Sequence, residues 1–250
     1  ENILIENNRI HKMTRGIVAY GMGCKGSYCG SRIQPTLPVS ERFVARNVTI
    51  RNNLIYDLRT NYAIAARGWQ SAYIYHNTFY QAGNTATLTL GRTGFVFHDS
   101  LAHNYCQEHP CKPTSSKWVF IDFPSEDVQF KNNVVHTPGK YVIEANEDAI
   151  SGFSAEGNVY YNPGGKAVFS VGDKQYDLES FPYGAGNYEG NPQLKDVGKA
   201  SFDLKRNSIA IDKGVVTNVN TDFKGKQRDH MPDIGAFEYN EIDLSPSDLR

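Results

Sequence analysis

The sequence lacks most features that assign a chain to a class at sight. No apolar run approaches the roughly 18 residues that a bilayer-spanning helix requires. Neither sign of charge is in excess: 26 Lys and Arg face 27 Asp and Glu, a net charge of −1. That balance argues against nucleic acid or an anionic membrane surface as the main partner. The 3.6-residue periodicity of amphipathic helices is missing. What is present is core material: 40% hydrophobic residues, 12% aromatic, and 22 glycines in 250 residues. This suits one elongated all-β domain and not a disordered chain.

Cysteine is scarce and oddly placed. Cys24 and Cys29 form one pair, Cys106 and Cys111 another, each with four residues between. Cys-x4-Cys is wider than the usual Cys-x2-Cys zinc knuckle. Two local disulfides are the reading adopted, which implies an oxidising compartment and a secreted, periplasmic or cell-surface protein. His109, inside the second pair, leaves a metal site as the alternative. No signal peptide leads the chain, and residues 2–5 already read as a strand, so a mature or truncated form is expected.

A repeat organises the rest. Ile5-Glu6-Asn7-Asn8-Arg9-Ile10 aligns without gaps on the segments starting at Ile50, Ile74, Phe97, Phe130 and Ala155. The fourth position reads Asn8, Asn53, Asn77, Ser100, Asn133, Asn158. The short spacings lie near 24, and the two longer ones contain the cysteine pairs. The disulfides therefore staple insertions, at 22–46 and 104–117, into a repeat of strand-sized units. A period near 24 suits three short strands and three turns per coil. Asn tolerates the left-handed conformation of a tight bend, and its side chain can bond to the same position one coil on. Asn47-Val48-Thr49 is a glycosylation sequon but sits inside the repeat, so ladder chemistry explains it.

A second strand follows each Asn motif, starting near Gly16, Ala63, Thr87, Trp118, Lys140 and Ala167. Alternation sends Ile17, Ile64, Leu88 and Val119 inward, with Tyr141, Ile143 and Ala145 in the fifth coil. The outward column then reads Tyr20, Arg67, Gly91, Asp122, Glu144, Ser170, with Arg92 just beyond the third.

These motifs resemble the pectate-lyase-like superfamily of right-handed parallel β-helix proteins. The closing run Asn207 to Gly214, then Asp222-Phe223-Lys224-Gly225, Arg228 and Asp233-Ile234-Gly235-Ala236-Phe237-Glu238, resembles its secreted bacterial members. The resemblance implies an all-β solenoid of about six or more coils over residues 1–175 and an irregular C-terminal cap over 176–250. The open first coil calls for upstream sequence or a neighbouring chain to cover it.

The resemblance also implies that substrate lies along the outward column. Asp122 and Glu144 on adjacent coils would repel, so one carboxyl is raised in pKa or the two share Ca²⁺, with Glu147 or Asn146 completing the site. Arg67 and Arg92 supply positive charge. Tyr20, Trp69, Lys117 and Trp118 are candidate sugar contacts, as are the two insertions. The sharpest reading is a polysaccharide lyase: β-elimination on an acidic, uronate-containing polysaccharide, with Arg67, Arg92, Asp122 and Glu144 in catalytic roles. The chain departs from the alginate-lyase and chondroitinase-B branch in having no Glu-x-Glu. A glycoside hydrolase using Asp122 and Glu144 is the alternative, as is a non-catalytic carbohydrate-binding or assembly protein. His76, and His98 beside Asp99, are expected as stacked turn residues, and His136 as part of a turn.

Overall fold

The computed structural model describes residues 2–19, 43–58, 61–91, 93–98, 112–113, 118–137 and 139–240; at 19, 93–98, 112–113 and 118–123 it describes the backbone alone. The cysteines, and with them the disulfide expectation, lie outside the described residues, as do Tyr20, Arg92 and Lys117.

The fold is all-β. Among the described residues helix is limited to 3-10 turns such as Glu147–Ala149 and Val197–Lys199. Three six-stranded sheets dominate. The first is built from Ile3–Glu6, Ala45–Arg51, Trp69–Tyr75, Glu126–Lys131, Ser154–Glu156 and Gly184–Ala185. The second holds Arg9–His11, Leu54–Leu58, Thr78–Ala82, Val134–His136, Val159–Tyr161 and Tyr188–Glu189. The third holds Ile17–Ala19, Tyr62–Arg67, Ala86–Gly91, Tyr141–Ala145 and Phe169–Val171, all parallel, and ends on antiparallel Lys174–Tyr176. The chain visits the sheets in rotation, so each circuit adds one strand to each.

Register stacks like on like. Ile50, Ile74, Phe130 and Ala155 form one inward column, and Ile55, Phe79, Val135 and Tyr160 a second. Ile64, Leu88, Ile143 and Phe169 form the third. All twelve have no exposed surface and belong to one core. Each large apolar side chain buried this way contributes about 1.5–3 kcal/mol. Alternation thus places the aliphatic residues of the third sheet as the sequence implies. Tyr141 differs: Val142 and Ile143 both turn into the core, which leaves Tyr141 outside it.

The Asn motif divides its labour between two positions. The third position takes the left-handed conformation, at Asn7, Asn52, His76, Asn132 and Gly157. The fourth forms the ladder. Asn8 donates to Asn53, Asn53 to Asn77, Asn77 to Asn133, Asn133 to Asn158, and Asn158 to Asn187, each through backbone N–H and side-chain amide. Asn187 is a rung that the sequence alignment passes over, and the parallel sheets run on to Tyr188–Glu189. Asn47 is also left-handed, and its side chain bonds to that of Asn2 at 3.1 Å.

The ladder passes directly from Asn77 to Asn133, and Ser100 lies outside the described residues. Trp69–Tyr75 pairs directly with Glu126–Lys131, and Ala86–Gly91 with Tyr141–Ala145. Between them, Thr93–His98, Trp118–Phe123 and Lys112–Pro113 form a separate antiparallel sheet. The expected fourth coil is therefore an inserted antiparallel unit. Its strands alternate as coil strands do, so period alone does not distinguish them.

Residues after Val171 do two things. Phe181 stacks on Phe169 at 4.2 Å between centroids and closes the last circuit's core. The segment from Leu194 onward packs along the outside of the second sheet, where Phe202, Leu204, Ile234, Ala236 and Phe237 meet Leu54, Val134 and Val159. The closing motif anchors it. Arg228, 2% exposed, pairs with Glu238 at 2.9 Å and donates to Asn52 and the Gly235 carbonyl. Ala236 donates to Thr78 Oγ1 at 3.0 Å. Gly235 has φ +104, and a β-carbon there would come 2.8 Å from Val134, so only glycine fits. The closing motif of the C-terminal half thus forms a buried clasp.

Candidate functional site on the third sheet

The outward row of the third sheet reads Val18, Ala65, Thr89, Glu144, Ser170, Gln175. Arg67 faces Gly91 two residues further along, where Asn146 continues the row. The neighbouring rungs therefore join Arg67 to Gly91 and Glu144 to Thr89 and Ser170.

Asp122 falls elsewhere. Its rung partner is Gly94, in the antiparallel unit, so it and Glu144 do not occupy neighbouring rungs of one column. This removes the register on which a shared Ca²⁺ or a paired-carboxylate hydrolase rested. Trp118 pairs with His98 in the same unit. Glu147 lies in the exposed 3-10 turn after the Glu144 strand. Trp69, expected to meet sugar, is 1% exposed and belongs to the core. Among the described residues no group of three His, Cys, Asp or Glu stands close enough to hold a metal ion.

Glu144 instead meets a tyrosine that alignment of strands does not single out. The Tyr62 phenol lies close enough to the Glu144 carboxylate and the Arg67 guanidinium to feel the charge of both. The Arg67 guanidinium lies 5.6 Å from the Tyr62 ring centroid. Burial, then the nearby Glu144 charge, push the phenol above its usual pKa, against the opposing pull of Arg67. Tyr62 is therefore a neutral O–H donor at physiological pH. Two strand spacings from Tyr62, the ammonium of Lys140 lies 4.7 Å from the Tyr141 ring centroid. The neighbouring Tyr141 phenol raises Lys140 above the usual lysine range. Gln175 donates to the Tyr141 hydroxyl at 3.0 Å.

The face thus offers two cations, the half-buried Tyr62 phenol, a carboxylate and an amide, with Tyr141 buried beneath them. Tyr62 and Tyr141 share a rung position through Ala86. The signal for them is present in the sequence, as an aromatic at the first position of each strand. It is masked because strict alternation assigns that position to the core.

His76 is structural, as its turn position implies. It has no exposed surface, and its Nε2 lies 3.0 Å from Thr217 Oγ1 and 2.9 Å from Asn132 Nδ2. Burial and the Arg228 charge depress its pKa well below the ordinary value. His136 lies on the outer face of the second sheet, in edge contact with Tyr161 and 4.5 Å from Tyr80.

No protein-family model matches the chain, and no curated protein matches it.

Proposed function

We propose that the chain is a secreted right-handed parallel β-helix that cleaves an acidic polysaccharide by β-elimination, on the outer face of the third sheet. The rotation of the chain through three parallel sheets and the Asn ladder support the β-helix. The two Cys-x4-Cys pairs support an oxidising compartment. The observation that carries the reaction is the Arg67–Tyr62–Glu144 group.

Elimination needs the uronate carboxylate neutralised, its α-proton removed and the leaving oxygen protonated. Arg67 pairs with the carboxylate, a task that the fixed fork of a guanidinium suits. The Glu144 carboxylate takes the α-proton. The bond to the β-oxygen breaks with its electrons on oxygen, a carbon–carbon double bond forms, and the oxygen takes the Tyr62 proton. Glu144 then returns its proton to the neighbouring Tyr62 phenolate, which restores both groups. No water or redox partner is consumed. Lys140 adds positive charge along the polymer.

The test is the ultraviolet absorbance of the unsaturated uronate product across a panel of uronic-acid polysaccharides. Wild-type protein should produce it on at least one polymer, and Arg67→Ala should raise KM on that polymer by about tenfold or more. Absence of product on every polymer, with the protein folded, excludes the lyase.

A further inference from the structure

A second surface stands apart from that site, on the outside of the second sheet. His11, Tyr56, Tyr80, His136 and Tyr161 occupy one outward column on five successive rungs. His11 and Tyr56 stack at 4.7 Å with 4° between their planes. Phe202, from the C-terminal segment, contacts Tyr56 at 4.8 Å and Tyr80 at 5.6 Å. Beside this column a cleft of about 580 Å³ opens beneath the turn Val197–Lys199. That volume falls in the range of small-molecule sites.

Its wall repeats with the circuits. After the first three aromatics, His11, Tyr56 and Tyr80, comes a left-handed polar residue: Lys12, Asp57 and Gln81, with φ of 55°, 51° and 49°. Three successive rungs span about 10 Å, two strand spacings. The opposite wall is Val197, Gly198 and Ala200. Ala200 is itself left-handed, at φ 55°, a conformation unfavourable for a residue with a β-carbon. The Ala200 carbonyl accepts from Arg9 at 3.3 Å, which ties the turn to the first circuit. Ala200 also caps the turn, its backbone N–H bonding back to the Val197 carbonyl, which fixes this wall in place.

The lining identifies the ligand class. One cation, one carboxylate, one amide and the His11 imidazole line it, so no cluster of like charges selects a phosphate or a uronate. Aromatic edges beside mixed donors and acceptors suit a neutral polyhydroxylated ligand, with ring C–H groups on the aromatic side and hydroxyls toward Lys12, Asp57 and Gln81. We propose that this cleft is a binding site for a neutral glycan segment of about two sugar residues, separate from the third-sheet face. The site does not depend on the lyase reading: it holds a glycan whether or not the chain is an enzyme.

The experiment is calorimetric titration and saturation-transfer NMR of the full chain with cellobiose, maltose, lactose and diacetylchitobiose, and with digalacturonate as the charged contrast. At least one neutral disaccharide should bind, and Asp57→Ala should weaken it by about tenfold or more. Gly198→Trp provides a plug that leaves the fold intact. A β-carbon at 198 meets only Asp196 Oδ1, at 3.5 Å, and its backbone is not left-handed. This variant should abolish binding with an unchanged melting temperature, while Arg67→Ala should bind as wild type does. Failure of all four neutral disaccharides overturns the proposal. So does binding that survives Gly198→Trp, or binding of digalacturonate alone.

Discussion

Asn77 donates its backbone N–H to the side chain of Asn133, 56 residues ahead, at 2.9 Å. The two stand on adjacent rungs, so everything between the third and fourth circuits that is not strand or turn is a detour. The detour closes on itself: Ser125 N–H donates to the Gly91 carbonyl at 3.2 Å. One circuit earlier, Arg67–Gly68–Trp69 makes the same passage with a single glycine, in register with Gly91 and with Glu126 beyond. Replacing residues 92–124 by one glycine should therefore preserve the three sheets. The expected result is an unchanged β-sheet circular dichroism signature and a cooperative melt. Loss of the folded state would show that the antiparallel unit supports the core.

The ladder should weaken unequally along its length. Asn133 is fully buried and donates to the carbonyls of Ile74 and Lys131 and to Asn158, while accepting from Asn77. Asn133→Ala strands several buried polar groups, each costly to leave unpaired. A loss of about 2–4 kcal/mol is expected in chemical denaturation. Asn8 is exposed and bonds on one side of the ladder only. Asn8→Ala should cost under about 1 kcal/mol. Equal losses at the two sites would mean that the ladder is not cooperative in the way its burial implies.

Both features explain what was legible in the sequence. The repeat, the inward columns and the ladder could be read because stacked rungs demand the same residue type at the same place. Asn187 was missed because the circuit before it is 29 residues long and its flanking strands have only two residues each. The antiparallel unit was misread because Phe95, Phe97, Val119 and Ile121 alternate as coil strands do. Of the candidate site, Arg67 and Glu144 were found by their outward positions. Tyr62 was not, because the corner where Ala63 and Ile64 both enter the core breaks the alternation. The C-terminal motif was recognisable as a pattern, but its purpose, a buried Arg228–Glu238 clasp, depends on contacts with Asn52 and Thr78 far away in the chain.

His76 makes stability sensitive to mild acid. Its folded pKa is depressed well below 6.5 by burial and by the Arg228 charge, so the unfolded chain takes up the proton first. Stability is therefore lost as pH falls below about 6.5. Glu238, pushed up to about 7 by burial and by Asp233, acts in the opposite sense. It binds its proton more readily when folded and adds stability as pH falls from 7. The useful readout is thus the difference between wild type and His76→Asn. Asparagine already fills the same left-handed position at Asn52 and Asn132, and there it docks the C-terminal segment through Thr221 and Val215 carbonyls. The variant should fold and should be less acid-sensitive than wild type. Identical pH profiles for the two proteins would remove His76 as the cause.

Tyr62 provides the sharpest test of the chemistry proposed for the third sheet. Tyr62→Phe keeps the ring that Arg67 overlies and removes only the hydroxyl between Arg67 and Glu144. If the phenol protonates the leaving oxygen, kcat should fall by about 100-fold or more, within the range for loss of a general acid. KM should change little, because Arg67 still receives the carboxylate. The wild-type rate should also hold up on the alkaline side. Burial and Glu144 raise the phenol above its ordinary value of 10.0, so the donor keeps its proton through neutral and moderately alkaline pH. A Tyr62→Phe enzyme with wild-type kcat would pass the donor role to another group. A rise in KM alone would reduce Tyr62 to a residue that positions Arg67.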